Sequence, residues 1–448
     1  MKKNDIVELS IDAMSSEGSG IGRVDGMAVF VPLTAVGDKI KARIVKVKSN
    51  YAYGIVEELL SLSSDRVTPD CDVFKRCGGC VYRHISYEAE CKIKYNRVYD
   101  AVSRIGGQTL KPEPIISAEN TVRYRNKAQY PVAENGDCGF YANHSHRIIS
   151  SDDCLLQPEE FKTATAFLKE FIQKNQISVY NEQTKKGLVR HFYLRKAFYT
   201  GEIMAVLVIN GRKIGNKEEL VNGLLSALGN NLKSIYLNIN TKDTNVILGK
   251  ECRLIYGQDC ITDRLCGVNF RISPLSFYQV NREMAERLYL KAAEYACPND
   301  KNIVDLYCGA GTIGLSMAKQ AKSVIGVEIV PQAIEDAKIN AKENGIENAR
   351  FICADAKEAA RQLAEERIKP DVVIVDPPRK GCDSEVIEII ANEFKPERVV
   401  YVSCDAATLA RDLKLFCELG YSLTEYTPVD LFPRTSHVET VALLMRTF

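Results

Sequence analysis

From about residue 300 the hydrophobic pattern becomes regular, with short apolar runs alternating with longer stretches whose apolar residues recur at helical spacing. The runs Asn302–Tyr307, Ser323–Val327, Phe351–Asp355, Val372–Asp376 and Val399–Cys404 each end at or beside a glycine, an acid or a thiol. Such alternation predicts an α/β, Rossmann-like, doubly wound sheet. Residues 1–60 read differently. Short strands over Ile6–Ile11, Met27–Val31, Lys39–Lys48 and Tyr53–Glu57, separated by glycines, predict a small OB-like β-barrel. Between these regions lie a helix over Tyr87–Arg104, a strand-like run over Thr121–Tyr130, and strands over Gly187–Tyr199, Ile203–Asn210 and Lys233–Asn240, with Leu220–Leu228 helical. The expected organisation is a barrel at 1–60, a central α+β domain at 61–274 and a Rossmann-like domain at 275–448. No internal repeat and no Pro/Ser-rich linker interrupts it.

A chain of 448 residues exceeds one ordinary core and suits such a division. The formal charge of +1 excludes a protein that coats polyanions with its whole surface, so nucleic-acid contacts must come from local patches. One patch stands out. In residues 1–60 eight Lys/Arg balance eight Asp/Glu, yet Lys39, Lys41, Arg43, Lys46 and Lys48 crowd together just before Tyr51 and Tyr53. Cations beside aromatics suit RNA, and they equally suit a solvated strand face that protects an edge. No apolar segment follows Lys2-Lys3, and no stretch of about 18 apolar residues occurs, so a cytoplasmic chain without a membrane span is expected. In that compartment the fifteen cysteines should be thiols, ligands or nucleophiles rather than disulfides.

Three of them form the C-x5-C-x2-C cluster Cys71, Cys77 and Cys80. Zinc sites commonly draw four ligands in two pairs, whereas cubane clusters often take three close cysteines and one remote. Cys154 is the remote thiol that fits, completing a [4Fe-4S] site; His84 or Cys91 would instead complete a zinc site. Gly78 and Gly79 let backbone N–H groups approach cluster sulfurs.

The chemistry concentrates at the predicted strand ends. Cys308-Gly309-Ala310-Gly311-Thr312-Ile313-Gly314 turns from strand to helix, as nucleotide-type ligands require. Glu328 ends the second strand, where a carboxylate accepts two ribose hydroxyls, and Asp355 ends the third, where an acid reads an adenine amino group. A nicotinamide dinucleotide and S-adenosylmethionine both satisfy these features. The Asp376-Pro377-Pro378 corner favours the methyl donor, because rigid prolines can fix polar groups against a substrate base. Cys404 ends the fifth strand as a candidate nucleophile, and His437-Val438-Glu439 supplies a candidate base.

These motifs, together with Tyr124-Arg125-Asn126-Lys127-Ala128-Gln129 and Ser276-Phe277-Tyr278-Gln279-Val280-Asn281, resemble the RNA (uracil-5-)-methyltransferase family, in particular its 23S ribosomal RNA members. The N-terminal segment resembles a TRAM domain. The resemblance implies a class I methyltransferase domain using S-adenosylmethionine, with Gln279, Tyr307, Thr312, Glu328, Asp355 and Asp376 contacting the donor. It implies Cys404 as nucleophile, Glu439 as base, and Cys71, Cys77, Cys80 and Cys154 around a [4Fe-4S] cluster. The implied product is 5-methyluridine in 23S ribosomal RNA, with transfer RNA as the alternative substrate, and the implied enzyme is a monomer. Two other classes use fewer of these residues: a cluster-bearing RNA-binding protein, and an amino-methyltransferase with no need of a thiolate.

The chain departs from the family pattern twice. Thr312 stands where relatives often carry Asn, and Asp405-Ala406 follows Cys404 where they usually carry Pro at the second place. Asp405 aimed at sulfur would suppress the thiolate; as the cap of the following helix it is harmless. The cap is expected.

Overall fold

The computed structural model describes residues 1–447. Period-two alternation builds the N-terminal barrel from β1 (Ile6–Ser10), β2 (Ala13–Met14), β3 (Gly20–Val24), β4 (Met27–Val31), β5 (Lys39–Val47) and β6 (Tyr51–Ser61). In β5, Ile40, Ala42 and Ile44 point into a core with Val29, Val31 and Ala52, which turns Lys39, Lys41 and Arg43 outward. This basic face is partly neutralised. Lys41 pairs with Glu58 at 2.8 Å and Arg43 pairs with Glu57 across β5 and β6, whereas Lys39, Lys46 and Lys48 have no carboxylate partner among the described residues. Phe30, Tyr51 and Tyr53 cluster on the same barrel.

The helix α1 (Tyr87–Arg104) starts at Ser86, whose hydroxyl accepts the Ala89 N–H, and packs on the C-terminal domain. Next come β7 (Lys127–Pro131), β8 (Gly139–Tyr141), β9 (Ile148–Ser150), α2 (Glu160–Lys174), β10 (Val189–Lys196), β11 (Ile203–Ile209), α3 (Lys217–Leu228), β12 (Leu232–Ile239) and β13 (Glu251–Gly257). Strands β13-β12-β11-β10-β7 form one sheet, with α2 and α3 covering one face. Only the end of the strand-like run 121–130 joins it. Residues 121–126 give their N–H groups elsewhere: Arg123 to Leu155 O, Arg125 to Leu156 O and Asn126 to Val280 O. Satisfied by distant loops, they have no ladder to join.

The hairpin β14 (Ile261–Leu265) and β15 (Val268–Ile272) buries Phe270 and Ile272 with Leu288 and Met317 of the C-terminal core. After α4 (Arg282–Ala296), strand and helix alternate: β16 (Asn302–Leu306), α5 (Thr312–Met317), β17 (Ser323–Glu328), α6 (Pro331–Glu343), β18 (Ala349–Cys353), α7 (Ala356–Glu365), β19 (Val372–Val375), α8 (Ser384–Ile389), β20 (Arg398–Ser403) and α9 (Ala406–Glu418). Two antiparallel strands, β21 (Tyr421–Val429) and β22 (Glu439–Arg446), finish the sheet in the order β18-β17-β16-β19-β20-β22-β21. Successive side chains of β16 alternate between two cores. Ile303 packs towards α4, α5 and α6, and Val304 towards α7, α8, α9 and α1. With both faces covered, the sheet leaves its edge of strand ends as the place where polar groups gather.

Candidate active site

Register places the two candidate reacting groups together. Ser403 of β20 pairs with Thr440 of β22, so Cys404, just past the end of β20, and Glu439, the first residue of β22 and paired with Val429 of β21, lie at the same end of the sheet. Asp376 follows β19, which runs parallel to β20 with Val375 opposite Tyr401, and so reaches the same edge. Cys404 feels both carboxyls, and Glu439 feels Asp376. Burial pushes the Cys404 thiol up to about 11, with Glu439 and Asp376 adding to the rise and Arg379 opposing it. Burial raises Glu439 to about 8, again with Asp376 adding and Arg379 opposing, and burial alone raises Asp376 to about 7. Glu439 is buried, while Cys404 is half-buried. His437 is driven down to about 4 by burial and then by Arg379, which favours the neutral imidazole.

Asp405 turns away from sulfur. Its Oδ1 accepts the N–H groups of Ala407 and Thr408 at 3.0 and 2.9 Å, capping α9 as the sequence led us to expect. The helix thus begins immediately behind the thiol.

The glycine loop follows β16 at the same edge. Tyr307 occupies a left-handed backbone at φ 69°, and Gly309 and Gly311 follow at 55° and 79°. A Cβ on Gly309 would meet nothing, so its outer side is open to a ligand. A Cβ on Gly314 would lie 2.9 Å from Asp305 Oδ2, so the helix approaches the strand as only glycine permits. Glu328 braces the loop from the neighbouring strand: Oε2 accepts the Gly309 N–H at 3.2 Å and Oε1 the Val330 N–H at 2.9 Å. Asp355 caps α7 through the Lys357 N–H at 3.0 Å, and the Thr312 hydroxyl lies 3.2 Å from that of Tyr289. Gln279 arrives from outside the sheet on the loop before α4, where Asn126 Nδ2 donates to its carbonyl at 2.8 Å. An open glycine turn with acids at successive strand ends fits a cationic, adenosine-bearing donor.

Two contributors carried no role in the sequence reading. Asp305 sits wholly buried, accepts the Gly314 N–H at 2.9 Å and is raised by burial to about 8. An acid inside the apolar run Asn302-Ile303-Val304-Asp305-Leu306 was the available signal. Arg379, exposed just beyond the prolines, is the cation that opposes the rise on Cys404 and Glu439.

The cysteine segment makes a separate pocket. Cys71, Cys77, Cys80 and Cys154 line one cavity of about 50 Å³ together with Arg83 and Arg125. Neither zinc alternative lines it. His84 Nε2 sits 2.9 Å from Thr34 O with its ring stacked on Phe74, and Cys91 is buried on α1. Among the described residues, no three His, Cys, Asp or Glu side chains are grouped closely enough to hold a metal ion. Burial raises Cys154 to about 11 and also raises Cys77 and Cys80, with Arg83 opposing in each case. The Gly79 N–H donates to Cys77 Sγ at 3.4 Å.

Among the described residues no helix is long and apolar enough to cross a membrane. The model of the tRNA (uracil-5-)-methyltransferase family matches residues 87–447, and that of the TRAM domain matches residues 2–56. An uncharacterized RNA methyltransferase of Clostridium tetani is 45% identical, with 99% of this chain and 97% of that protein covered. One from Halalkalibacterium halodurans is 43% identical, covering 99% and 98%. Among solved structures, the tRNA (uracil-54, C5)-methyltransferase of Pyrococcus abyssi, in complex with S-adenosyl-L-homocysteine, superposes with a TM-score of 0.80 at 29% identity. The match covers 98% of this chain and 99% of that one. The chain therefore belongs to the tRNA (uracil-5-)-methyltransferase family, as an S-adenosylmethionine-dependent RNA methyltransferase with an N-terminal TRAM domain.

Proposed function

We propose that the chain methylates carbon 5 of a uridine in 23S ribosomal RNA, with Cys404 as nucleophile and Glu439 as base. The observation that carries this reading is the shared strand end of Cys404 and Glu439, with Asp376 beside them. Carbon 5 of uracil is too weak a nucleophile to be methylated directly. Cys404 Sγ, once deprotonated, adds to carbon 6, and the displaced π pair makes carbon 5 nucleophilic. Bound S-adenosylmethionine supplies an electrophilic methyl group and a positive charge. Gln279, Tyr307, Thr312, Glu328, Asp355 and Asp376 are the residues that would hold it. Glu439 then takes the proton left on carbon 5; that C–H pair re-forms the ring double bond, and the C6–S bond breaks with its pair returning to sulfur. The target base must leave its stack to reach a recessed thiol, so a loop or locally opened RNA suits the site.

The four cysteines around one cavity support a [4Fe-4S] cluster held by Cys71, Cys77, Cys80 and Cys154. The methylation is redox-neutral, so the cluster's part is structural or RNA-positioning.

A tRNA substrate is the second reading, favoured by the likeness to the Pyrococcus enzyme. Mapping 5-methyluridine in ribosomal and transfer RNA from a strain lacking this chain separates the two. Loss of a 23S site supports the proposal; loss confined to tRNA overturns the substrate, and loss of neither overturns the activity.

A further inference from the structure

The loop that carries Glu439 is held from outside its own sheet. Between β21 and β22, Phe432 O accepts from Lys94 Nζ at 3.1 Å, Pro433 O from the Tyr124 hydroxyl at 2.8 Å and Ser436 O from Arg97 Nη1 at 2.7 Å. Arg434, in a left-handed conformation at φ 69°, donates its backbone N–H to Glu90 Oε1 at 2.7 Å and accepts the Val81 N–H at 2.9 Å. These partners come from the segment after Cys80, from α1 and from the irregular run before β7. At their centre is a buried triad. Lys94 Nζ donates to Glu90 Oε1 and to Asp430 Oδ1, both at 2.7 Å, and the Tyr87 hydroxyl donates to Asp430 Oδ2 at 2.8 Å.

Glu90 and Asp430 are 0% exposed and Lys94 is 1% exposed. One ammonium between two carboxylates in such a place is a poor source of stability, because the desolvation of three ions offsets most of their attraction and an apolar cluster would serve as well. What the triad does supply is direction. Its bonds fix both the first residue of the loop, Asp430, and the strained Arg434, five residues ahead of the base.

We propose that the Glu90–Lys94–Asp430 triad is a positioning device for the base: it holds the 430–438 loop so that Glu439 meets the proton on carbon 5. The proposal rests on the covalent mechanism above, and the mechanism makes it separable from a general structural role. Glu439 acts only after addition and methylation. Displacing its carboxylate by about 1 Å, worth on the order of a hundredfold in rate, stalls the cycle at the methylated adduct and leaves addition by Cys404 intact.

The test incubates full-length wild type, E439Q, K94M, D430N and Y87F with methyl-labelled S-adenosylmethionine and total RNA from a strain lacking this chain, then quenches in denaturant. Labelled protein–RNA adduct and released 5-methyluridine are measured together, with thermal unfolding on the same samples. E439Q is expected to accumulate adduct, and K94M and D430N to raise the ratio of adduct to product by about tenfold or more over wild type. Y87F, which removes no charge but loses the bonds to Asp430 Oδ2 and from the Ala118 N–H, is expected to raise it less and serves if K94M does not fold. Equal loss of adduct and product in the triad variants, or a wild-type ratio in all that fold, overturns the proposal. If E439Q itself forms no adduct while wild type methylates RNA, the covalent mechanism fails and the proposal falls with it.

Discussion

In the proposed mechanism Glu439 must be ionised to act, yet its surroundings favour the neutral carboxyl. Burial and Asp376 lift its carboxyl from the ordinary 4.5 to about 8. The folded chain therefore binds more protons than the unfolded chain between those values, and stability falls as the pH rises through that window. Turnover runs the other way, rising with pH through about 8 as the base ionises, until the loss of stability intervenes. E439Q, which cannot ionise, is predicted to show a shallower fall in unfolding midpoint between pH 5 and 8 than wild type. Denaturant unfolding at several pH values checks this, and parallel slopes would mean that the carboxyl is not the titrating group. Part of this was legible in the sequence, since Val438 and Val441 flank Glu439 and announce burial. The second contribution was not. Asp376 lies 63 residues away in the chain and meets Glu439 only because β19, β20 and β22 are neighbours in the sheet.

At the scale of the element, the join between β20 and α9 decides whether Cys404 can react. Asp405 is committed to the helix: its carboxylate accepts two N–H groups, and the carboxylates that raise the thiol most are Glu439 and Asp376. D405A is predicted to cost about 1 kcal/mol of stability, the usual value of such a cap, whereas D405N keeps most of it. Both should leave the rate of Cys404 alkylation nearly unchanged; a marked acceleration in D405N would show that the carboxylate does suppress the thiolate. Helix and cap were readable because their signals are local: a capping residue, then apolar residues at helical spacing. The run Thr121–Asn126 misled for the opposite reason. Its interleaved tyrosines and cations look strand-like, but its N–H groups are taken by Leu155, Leu156 and Val280, partners that no local pattern reveals. The same limit hid the triad, which joins Glu90 and Lys94 on α1 to Asp430, over 330 residues further on.

Across the whole molecule, segments of the central domain converge on one edge of the C-terminal sheet. The central domain sends Asn126 to the Gln279 loop and Tyr124 to the loop before Glu439, while the segment following Cys80 holds Arg434. Cys80 and Arg125 of the cysteine pocket are thus chain neighbours of the residues that hold these loops. Anaerobically purified protein is predicted to carry about four iron atoms per chain, and C154S to carry fewer. Elemental and sulfide analysis decides it, and one zinc per chain would contradict the cluster. The barrel and the doubly wound sheet were legible from periodicity; how much of the barrel's basic stripe is free was not, because Glu57 and Glu58 neutralise Arg43 and Lys41 only once β5 and β6 pair.

The central claim is that Cys404 forms a covalent bond to the uracil it activates. RNA made with 5-fluorouridine replaces the proton that Glu439 must remove with a fluorine it cannot. Incubated with S-adenosylmethionine, wild type should yield a denaturant-stable protein–RNA adduct whose cross-linked peptide contains Cys404, and C404A should yield none. Methylation of ordinary RNA with no adduct on the fluorinated RNA, or an adduct at another residue, would contradict the account.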